Sequence, residues 1–336
     1  MVMNPAGSVP ALFRMATAYW TSQTIYVAAK LGIADALGDG AMTVDEIASA
    51  TGTNGKSLVR LLRALTALGV LADDENRRFR LTGIGGSLQS GIPGSLRSII
   101  LTLGEEHYHA WGSLFESIRC DKPAFDHVYR KPLFEYFRQN STAAETFNAG
   151  MNDFTSQVAL AAMLAYDFSG SRVIADIGGG QGVLLNAILK SNPSTSGILF
   201  DSEQVVATAT SHAGSGVNGR RKTIGGDFFE FVPGGADVYV LKNVLHDWSD
   251  DRAIRILKNC RRAMSPQAKL LVMEMILPLA ADPAFGNLLD LNMLVMSGGQ
   301  ERTLDEYRGL FEASGFSLTR VIPTLAPVSI LEAEPL

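Results

Sequence analysis

The sequence holds only two cysteines, Cys120 and Cys260, far apart in the chain. That excludes a disulfide framework and points to reduced thiols in a cytoplasmic setting. No apolar run approaches the roughly 20 residues that a membrane span needs, so no membrane association is expected. No basic segment precedes the first apolar residues, and no signal peptide is expected. Positive charge is not in surplus. The chain has 29 basic and 34 acidic side chains, a net charge of −5, which argues against non-specific nucleic-acid binding by the whole molecule. Histidine is scarce, and His107, His109 and His127 stand at no metal-ligand spacing to carboxylates or thiols, so no metal is expected. Internal repeats and low-complexity tracts are missing. What remains is an ordinary soluble composition, 46% hydrophobic and 19% charged over 336 residues, enough for about two domains.

The most informative stretch is Val173-Ile174-Ala175-Asp176-Ile177 running into Gly178-Gly179-Gly180-Gln181-Gly182. An apolar helical pattern follows from Val183 to Leu189. The pattern predicts strand, tight turn and helix, the opening of a nucleotide-binding α/β unit. Val183 stands where the third glycine of a dinucleotide loop belongs, so the loop favours a nucleoside over a dinucleotide.

Strands then alternate with helices. Strands are predicted at 197–201, 222–226, 236–244, 269–277, 316–322 and 328–333, and helices at 204–211, 250–264, 285–296 and 303–314. That is an α/β fold, a doubly wound Rossmann-like parallel sheet with its last two strands as an antiparallel pair at the edge. Ligands of such sheets sit beyond the carboxyl ends of the strands. Asp201 ends the second strand, at the distance from Gly178 where an acid meets ribose hydroxyls. Asp227-Phe228 ends the third and offers an acceptor and a ring to an adenine. No basic residue is expected near the glycine loop, while Asp176, Asp201 and Glu203 add negative charge. A phosphate would be repelled there and a sulfonium would not, which favours S-adenosyl-L-methionine over a nicotinamide dinucleotide. Capping of the following helices is the plain structural account of Asp176 and Asp201.

His246 follows the fourth strand, in Leu241-Lys242-Asn243-Val244-Leu245-His246-Asp247-Trp248. An imidazole beside a cofactor crevice suits general-base work near neutral pH. Glu274, at the end of the fifth strand, and Glu301, after Gly298-Gly299-Gln300, project over the same sheet edge. A carboxylate on one imidazole nitrogen orients the ring and leaves the other nitrogen to take a proton. Met151, Met293 and Met296 offer an apolar lining for a flat substrate, and plain core packing accounts for them equally well.

Residues 1–100 read as helical, followed by a hairpin. Thr43-Val44-Asp45-Glu46 is a capping box. Ser57 to Leu68 is amphipathic, with Leu58, Leu61, Leu62, Leu65 and Leu68 on one face. Val70 to Ala72 and Phe79 to Leu81 flank a polar tip, completing a winged helix. Lys56, Arg60 and Arg63 share a helical face as in a DNA reader, but Asp73-Asp74-Glu75 at the wing tip would repel phosphate. Phe13, Met15, Tyr19, Trp20, Ile25 and Tyr26 load the first arm with apolar surface, as burial against a second subunit would require. Residues 101–165 read as a helical connector rich in aromatics, lining the substrate pocket. Residues 166–336 form the cofactor-binding domain.

Together, Asp176-Ile-Gly-Gly-Gly-Gln-Gly182, Gly226-Asp-Phe-Phe229, the Leu241–Asp250 segment, Glu274-Met-Ile-Leu-Pro278 and Gly298-Gly-Gln-Glu-Arg-Thr303 resemble class I S-adenosylmethionine-dependent O-methyltransferases of the plant caffeate/acetylserotonin type, in their bacterial branch. The likeness covers nearly the whole chain. It implies that His246 is the base, flanked by Glu274 and Glu301. It implies that Gly178, Asp201, Asp227, Phe228 and Lys242 contact the cofactor. It implies a pocket with Met151, Asn152, Asp247, Asn292, Met293 and Met296 for a small aromatic hydroxylated substrate of secondary metabolism. It also implies a winged-helix domain at 1–100 that forms a homodimer and binds no DNA. The chain departs from the family at Ser202-Glu203, where Leu-Pro is usual, and at Cys120 and Arg130, where glycine is common. Two other functions stay open: a member of the fold repurposed for hydroxylation or pericyclic chemistry, and a winged-helix regulator with a ligand-sensing domain.

Overall fold

A computed structural model describes residues 5–209, 217, 219–278 and 282–336. By contacts the chain forms two compact units, 1–108 with 145–153, and 109–144 with 154–336. The segment read as a connector is thus shared between them. The helix Ser141–Ala165 supplies 145–153 to the first and its remainder to the second.

In the first unit the arm is broken twice. Helices Pro5–Ala16 and Ala18–Leu31 part at Thr17, and Gly32, in the left-handed region, turns the chain into Ile33–Leu37. A short strand β1 (Ala41–Met42) precedes the helix Val44–Thr51, whose Thr43–Glu46 capping box is fully formed. The next helix, Gly55–Ala67, starts two residues before Ser57 because the Asn54 side chain accepts from the Lys56 and Ser57 amides. Its Leu58, Leu62 and Leu65 are buried, while Leu68 lies past its end and is exposed. The hairpin β2 (Leu71–Asp73) and β3 (Phe79–Leu81) pairs antiparallel, and β1 joins it in the order β1-β3-β2. Ile33, Leu37, Ile47, Leu62, Leu65 and Phe79 form the core beneath this wing. Leu12, Phe13, Met15, Tyr19 and Trp20 are about half or more exposed on the arm.

The second unit is built on a seven-stranded sheet. Its strands are β4 (Val173–Ile177), β5 (Ser196–Asp201), β6 (Arg221–Gly225), β7 (Val238–Lys242), β8 (Lys269–Glu274), β11 (Phe316–Pro323) and β12 (Ser329–Pro335). The order is β11-β12-β8-β7-β4-β5-β6, with β12 antiparallel to both neighbours. The closing pair is therefore antiparallel, with β11 outermost and β12 between it and β8. The predicted strand 269–277 divides at Met275. β8 stays in the sheet, and β9 (Ile276–Leu277) pairs in parallel with β10 (Arg302–Thr303). Residues 210 and 211, at the end of the predicted helix 204–211, lie outside the described residues. Buried apolar side chains fill both faces, among them Tyr239, Leu241, Leu257 and Phe311 on one and Leu185, Ile188, Leu199 and Val240 on the other. Both faces are covered, so the central strands read as near-continuous apolar runs. The candidate residues Gly178, Asp201, Asp227, Lys242 and Glu274 fall at the carboxyl ends of β4, β5, β6, β7 and β8. Among the described residues no helix is long and apolar enough to cross a membrane.

Arg130 caps the helix Ala124–Tyr129 at φ 61°. Its position in the left-handed region accounts for glycine being common there. Cys120 is not in that conformation; Asp121 beside it is, at φ 53°.

Candidate active site

His246 stands on a short helical turn, Leu245–Asp247, just past β7. Backbone hydrogen bonds hold the turn on two sides. Glu274 Oε1 accepts from the amides of Val244 at 2.9 Å and Leu245 at 2.8 Å. The Gln300 amide donates to the His246 carbonyl at 2.8 Å. Only glycine fits at 299, because a Cβ there would overlap the His246 carbonyl oxygen and lie 2.6 Å from the Asp247 carbonyl carbon. The neighbour is backbone, so a Gly299→Ala enzyme must displace the turn. We expect its kcat to fall at least about tenfold and its stability by about 1–3 kcal/mol, read from steady-state rates and thermal unfolding.

Glu301 Oε1 lies 2.7 Å from His246 Nδ1, and Glu274 Oε2 lies 3.7 Å from it. Both carboxylates are fully buried and the imidazole is 11% exposed. Nδ1–H donates to Glu301, and Nε2 is the ring nitrogen not engaged in that bond. Burial alone would lower the imidazolium pKa. The Glu274 charge, the hydrogen bond to Glu301 and the Asp247 and Glu301 charges outweigh burial and hold it well above the ordinary range. Glu274 is raised by burial, against the pull of the His246 cation. The Glu301 amide donates to Asp290 Oδ1 at 2.9 Å, which fixes the backbone that carries the orienting carboxylate. His246, Glu274 and Glu301 lie within 4.8 Å of one another and could also ligate a cation. The 2.7 Å contact, however, is a hydrogen-bond length that a shared proton fills.

The glycine loop lies at the ends of β4 and β5. Gly178 has φ 68°, its amide donates to the Phe200 carbonyl at 2.8 Å, and a Cβ there would meet Val244 Cγ2 at 2.8 Å. Asp201 Oδ2 accepts from the Gly180 amide at 2.8 Å and Oδ1 from the Ser202 amide at 2.7 Å. The acid therefore pins the loop and its own turn, with about half of its acceptor capacity left for a ligand. Asp176 is 2% exposed beneath the loop. Burial pushes its carboxyl up to about 7, against the pull of the Lys242 cation. Its Oδ2 has no hydrogen-bond partner among the described residues. Burial lowers the Lys242 pKa, opposed by Asp176, Glu274 and Asp247, and its Nζ donates to Asn243 Oδ1 at 3.2 Å.

One expectation needs correcting. The fold brings a basic residue, Arg221, to the glycine loop, its Nη1 3.0 Å from where a Gly182 Cβ would stand. Its donors are directed to Asn186 Oδ1 and the Ala209 carbonyl, each at 2.9 Å. The preference for a sulfonium therefore rests on Asp176, Asp201 and the missing third glycine, not on a lack of basic neighbours.

Asp227 is exposed and accepts from the Phe229 amide at 2.8 Å, while Asn259 Nδ2 donates to the Phe228 carbonyl at 2.8 Å. The Phe228 ring meets Trp248 edge-on at 6.0 Å. Phe134 stacks on Trp248, and the Arg252 guanidinium lies over Trp248 and Phe229 at 4.1 and 4.3 Å. Asp247 is half-buried, and burial raises its carboxyl. Asn292 Oδ1 accepts from Trp111 Nε1 at 2.9 Å, and Met293 and Met296 are buried on the same helix, Pro283–Met296. Met151 and Asn152 belong to the first unit. Local sequence does not single out Arg302, Asn259 or Arg252: Arg302 and Asn259 bond to segments distant in sequence, and Arg252 lies over the rings of Phe229 and of Trp248, the latter close to it in sequence. For Arg302 the adjacent Glu301 was the available signal.

The donor set fits S-adenosylmethionine. Glycine backbone permits close approach at Gly178, Asp201 has acceptor capacity to spare, and Asp176 buries an oxygen without a partner. The family model for an O-methyltransferase domain matches residues 111–317, and one for an O-methyltransferase dimerisation domain matches 13–89. The chain belongs to the O-methyltransferase family. It is 45% identical to a phenazine O-methyltransferase of Lysobacter antibioticus, over 99% of both chains. Human N-acetylserotonin methyltransferase, solved in complex with S-adenosylmethionine, superposes with a TM-score of 0.92 at 26% identity, over 100% of this chain and 99% of that one. Aclacinomycin 10-hydroxylase of Streptomyces purpurascens is 35% identical, over 89% of this chain and 82% of that one. The chain is thus an S-adenosylmethionine-dependent O-methyltransferase with a mixed α/β catalytic domain and an N-terminal dimerisation domain.

Proposed function

We propose that this O-methyltransferase places the methyl group on a phenolic oxygen of a flat, fused aromatic metabolite, with His246 as general base. The observation that carries the reading is the 2.7 Å bond from His246 Nδ1 to Glu301, which leaves Nε2 for the acceptor proton. Bound S-adenosylmethionine supplies a methyl group already activated as a sulfonium. Gly178, Asp201, Asp227, Phe228 and Lys242 would hold the cofactor, and Asp247, Asn292, Met293 and Met296, on the same unit, would line the acceptor pocket. Likeness to a phenazine O-methyltransferase supports a tricyclic acceptor. We further propose a cytoplasmic homodimer formed through residues 1–100, with the exposed apolar arm buried at the interface.

The chain's own work is positioning and proton removal. A phenol, judged by tyrosine, has a pKa of about 10 and a free imidazole one of about 6.5, a mismatch of roughly 5 kcal/mol. Glu274 and Glu301 narrow it by stabilising the imidazolium. The same charges keep His246 protonated in the free enzyme at neutral pH, so its base form gains as pH rises.

The aclacinomycin hydroxylase likeness favours a second reading, cofactor binding without methyl transfer. Incubation with methyl-labelled cofactor, a hydroxyphenazine and simple phenols separates the two. The proposal expects a product heavier by one methylene unit that carries the label on oxygen. Tight cofactor binding with no labelled product from any acceptor supports the second reading instead.

A further inference from the structure

Arg302 is fully buried. Burying a guanidinium is costly, and apolar replacements of similar size often leave a fold as stable. Its contacts converge on one object. Nη1 donates to the Leu245 carbonyl at 3.0 Å, and Nη2 to the Trp248 carbonyl at 2.7 Å. These two carbonyls bracket His246-Asp247. Nε and Nη2 also bind Asp250 Oδ1, at 3.0 and 2.8 Å, and Nη1 reaches the Gln300 carbonyl at 3.4 Å. Glu274 holds the amides of the same turn from the opposite side. The planar five-donor fork of an arginine reaches these acceptors at once, which a lysine ammonium does not.

We propose that Arg302 is a positioning residue for methyl transfer: it clamps the Leu245–Trp248 turn so that Glu301, its neighbour in sequence, meets His246 Nδ1 in the productive geometry. Two groups that bind the turn, the Gln300 amide and the Arg302 guanidinium, and the residue that orients the ring, Glu301, occupy one segment, Gln300 to Arg302. Registering that segment on the turn therefore registers the hydrogen bond. Asp250 fixes the outer end of the guanidinium, and its side chain is 59% exposed, so it can be changed without opening the core.

The inference rests on the proposed role of His246, and the test keeps the two apart. Arg302→Lys, Asp250→Asn and His246→Ala are purified as full chains beside the parent. Fold is checked by thermal unfolding, cofactor affinity by calorimetry, and kcat, KM and the pH profile by methyl transfer to the acceptor found above. Arg302→Lys is expected to lose about 10²-fold in kcat, as small misplacements of catalytic groups do. Its cofactor affinity should stay within about threefold, and the acid limb of its pH profile should move down as the Glu301 bond to His246 loosens. Asp250→Asn is expected to lose about three- to tenfold in kcat with the same direction of shift. Proton NMR adds a direct view: the downfield Nδ1–H signal of His246, present in the parent, should be lost in Arg302→Lys. A folded Arg302→Lys enzyme with parental kcat and pH profile overturns the clamp. If Arg302→Lys does not fold, Asp250→Asn decides, and an unchanged kcat and pH profile there overturns it equally. A fully active His246→Ala enzyme would instead remove the reading on which the clamp rests.

Discussion

Replacing His246 with alanine lowers kcat by about 10²–10⁴-fold and leaves cofactor affinity within about twofold. The rate loss is expected if His246 is, as proposed, the group that takes the acceptor proton. The affinity is spared because the loop residues Gly178, Gly180 and Asp201 bond to one another and to Phe200 and Ser202, not to His246. Steady-state rates with calorimetric cofactor titration separate the two effects. If both fell together, His246 would be a structural support of the cofactor site and not its base. Relative rates among acceptors sharpen the result, since a more acidic phenol needs less help and should lose less on the substitution.

Glu301→Gln is expected to cut the plateau rate by about 10²–10³-fold, comparable with orienting groups of other general bases. An amide can present its NH₂ to Nδ1, which reverses the tautomer and places a proton on Nε2, where the acceptor proton must go. The pH profile gives an independent signature. In the parent, kcat/KM rises as His246 loses its proton, and the negative charges of Glu274, Asp247 and Glu301, with the Glu301 hydrogen bond, put that limb above the ordinary imidazole pKa of about 6.5. Removing one charge and that bond destabilises the imidazolium, lowers its pKa and moves the limb to lower pH. The enzyme should therefore become slower on the plateau but start working at a lower pH. A limb that stayed in place, or moved up, would mean that another group titrates there.

Much of this was legible in local sequence, for identifiable reasons. The Thr43 capping box, the Val173–Ile177 strand and the Gly178 turn depend on residues within a few positions of one another. Asn54 was missed as a cap because Gly55 and Lys56 dilute the apolar period that the helix shows only from Leu58. The break that separates β9 from β8, and β10 itself, were missed because two-residue strands carry no periodicity. The placement of β12 between β11 and β8 is a tertiary choice; a hairpin-like link shows that two strands pair, not which one lies outside. At the site, strand ends announced Asp201, His246 and Glu274. The clamp did not announce itself, since Arg302 reaches 57 and 54 residues back to Leu245 and Trp248. Arg221 likewise reached the glycine loop only through the pairing of β6 with β5.

The dimerisation domain also explains why a winged helix need not read DNA. Lys56, Arg60 and Arg63 are exposed on one helix, but its unit also exposes Phe13, Met15 and Trp20, and the domain model that matches residues 13–89 is one of dimerisation.

The central claim is that this chain methylates an aromatic hydroxyl through a proton removed by His246. It is tested most directly by single-turnover transfer from methyl-labelled S-adenosylmethionine to a hydroxyphenazine, with the parent and His246→Ala enzymes run side by side, both saturated with cofactor. The account predicts label on the acceptor oxygen within the parent's turnover time and about 10²-fold or more slower transfer in the variant. Label appearing at equal rates in both, or on no acceptor despite bound cofactor, would contradict it.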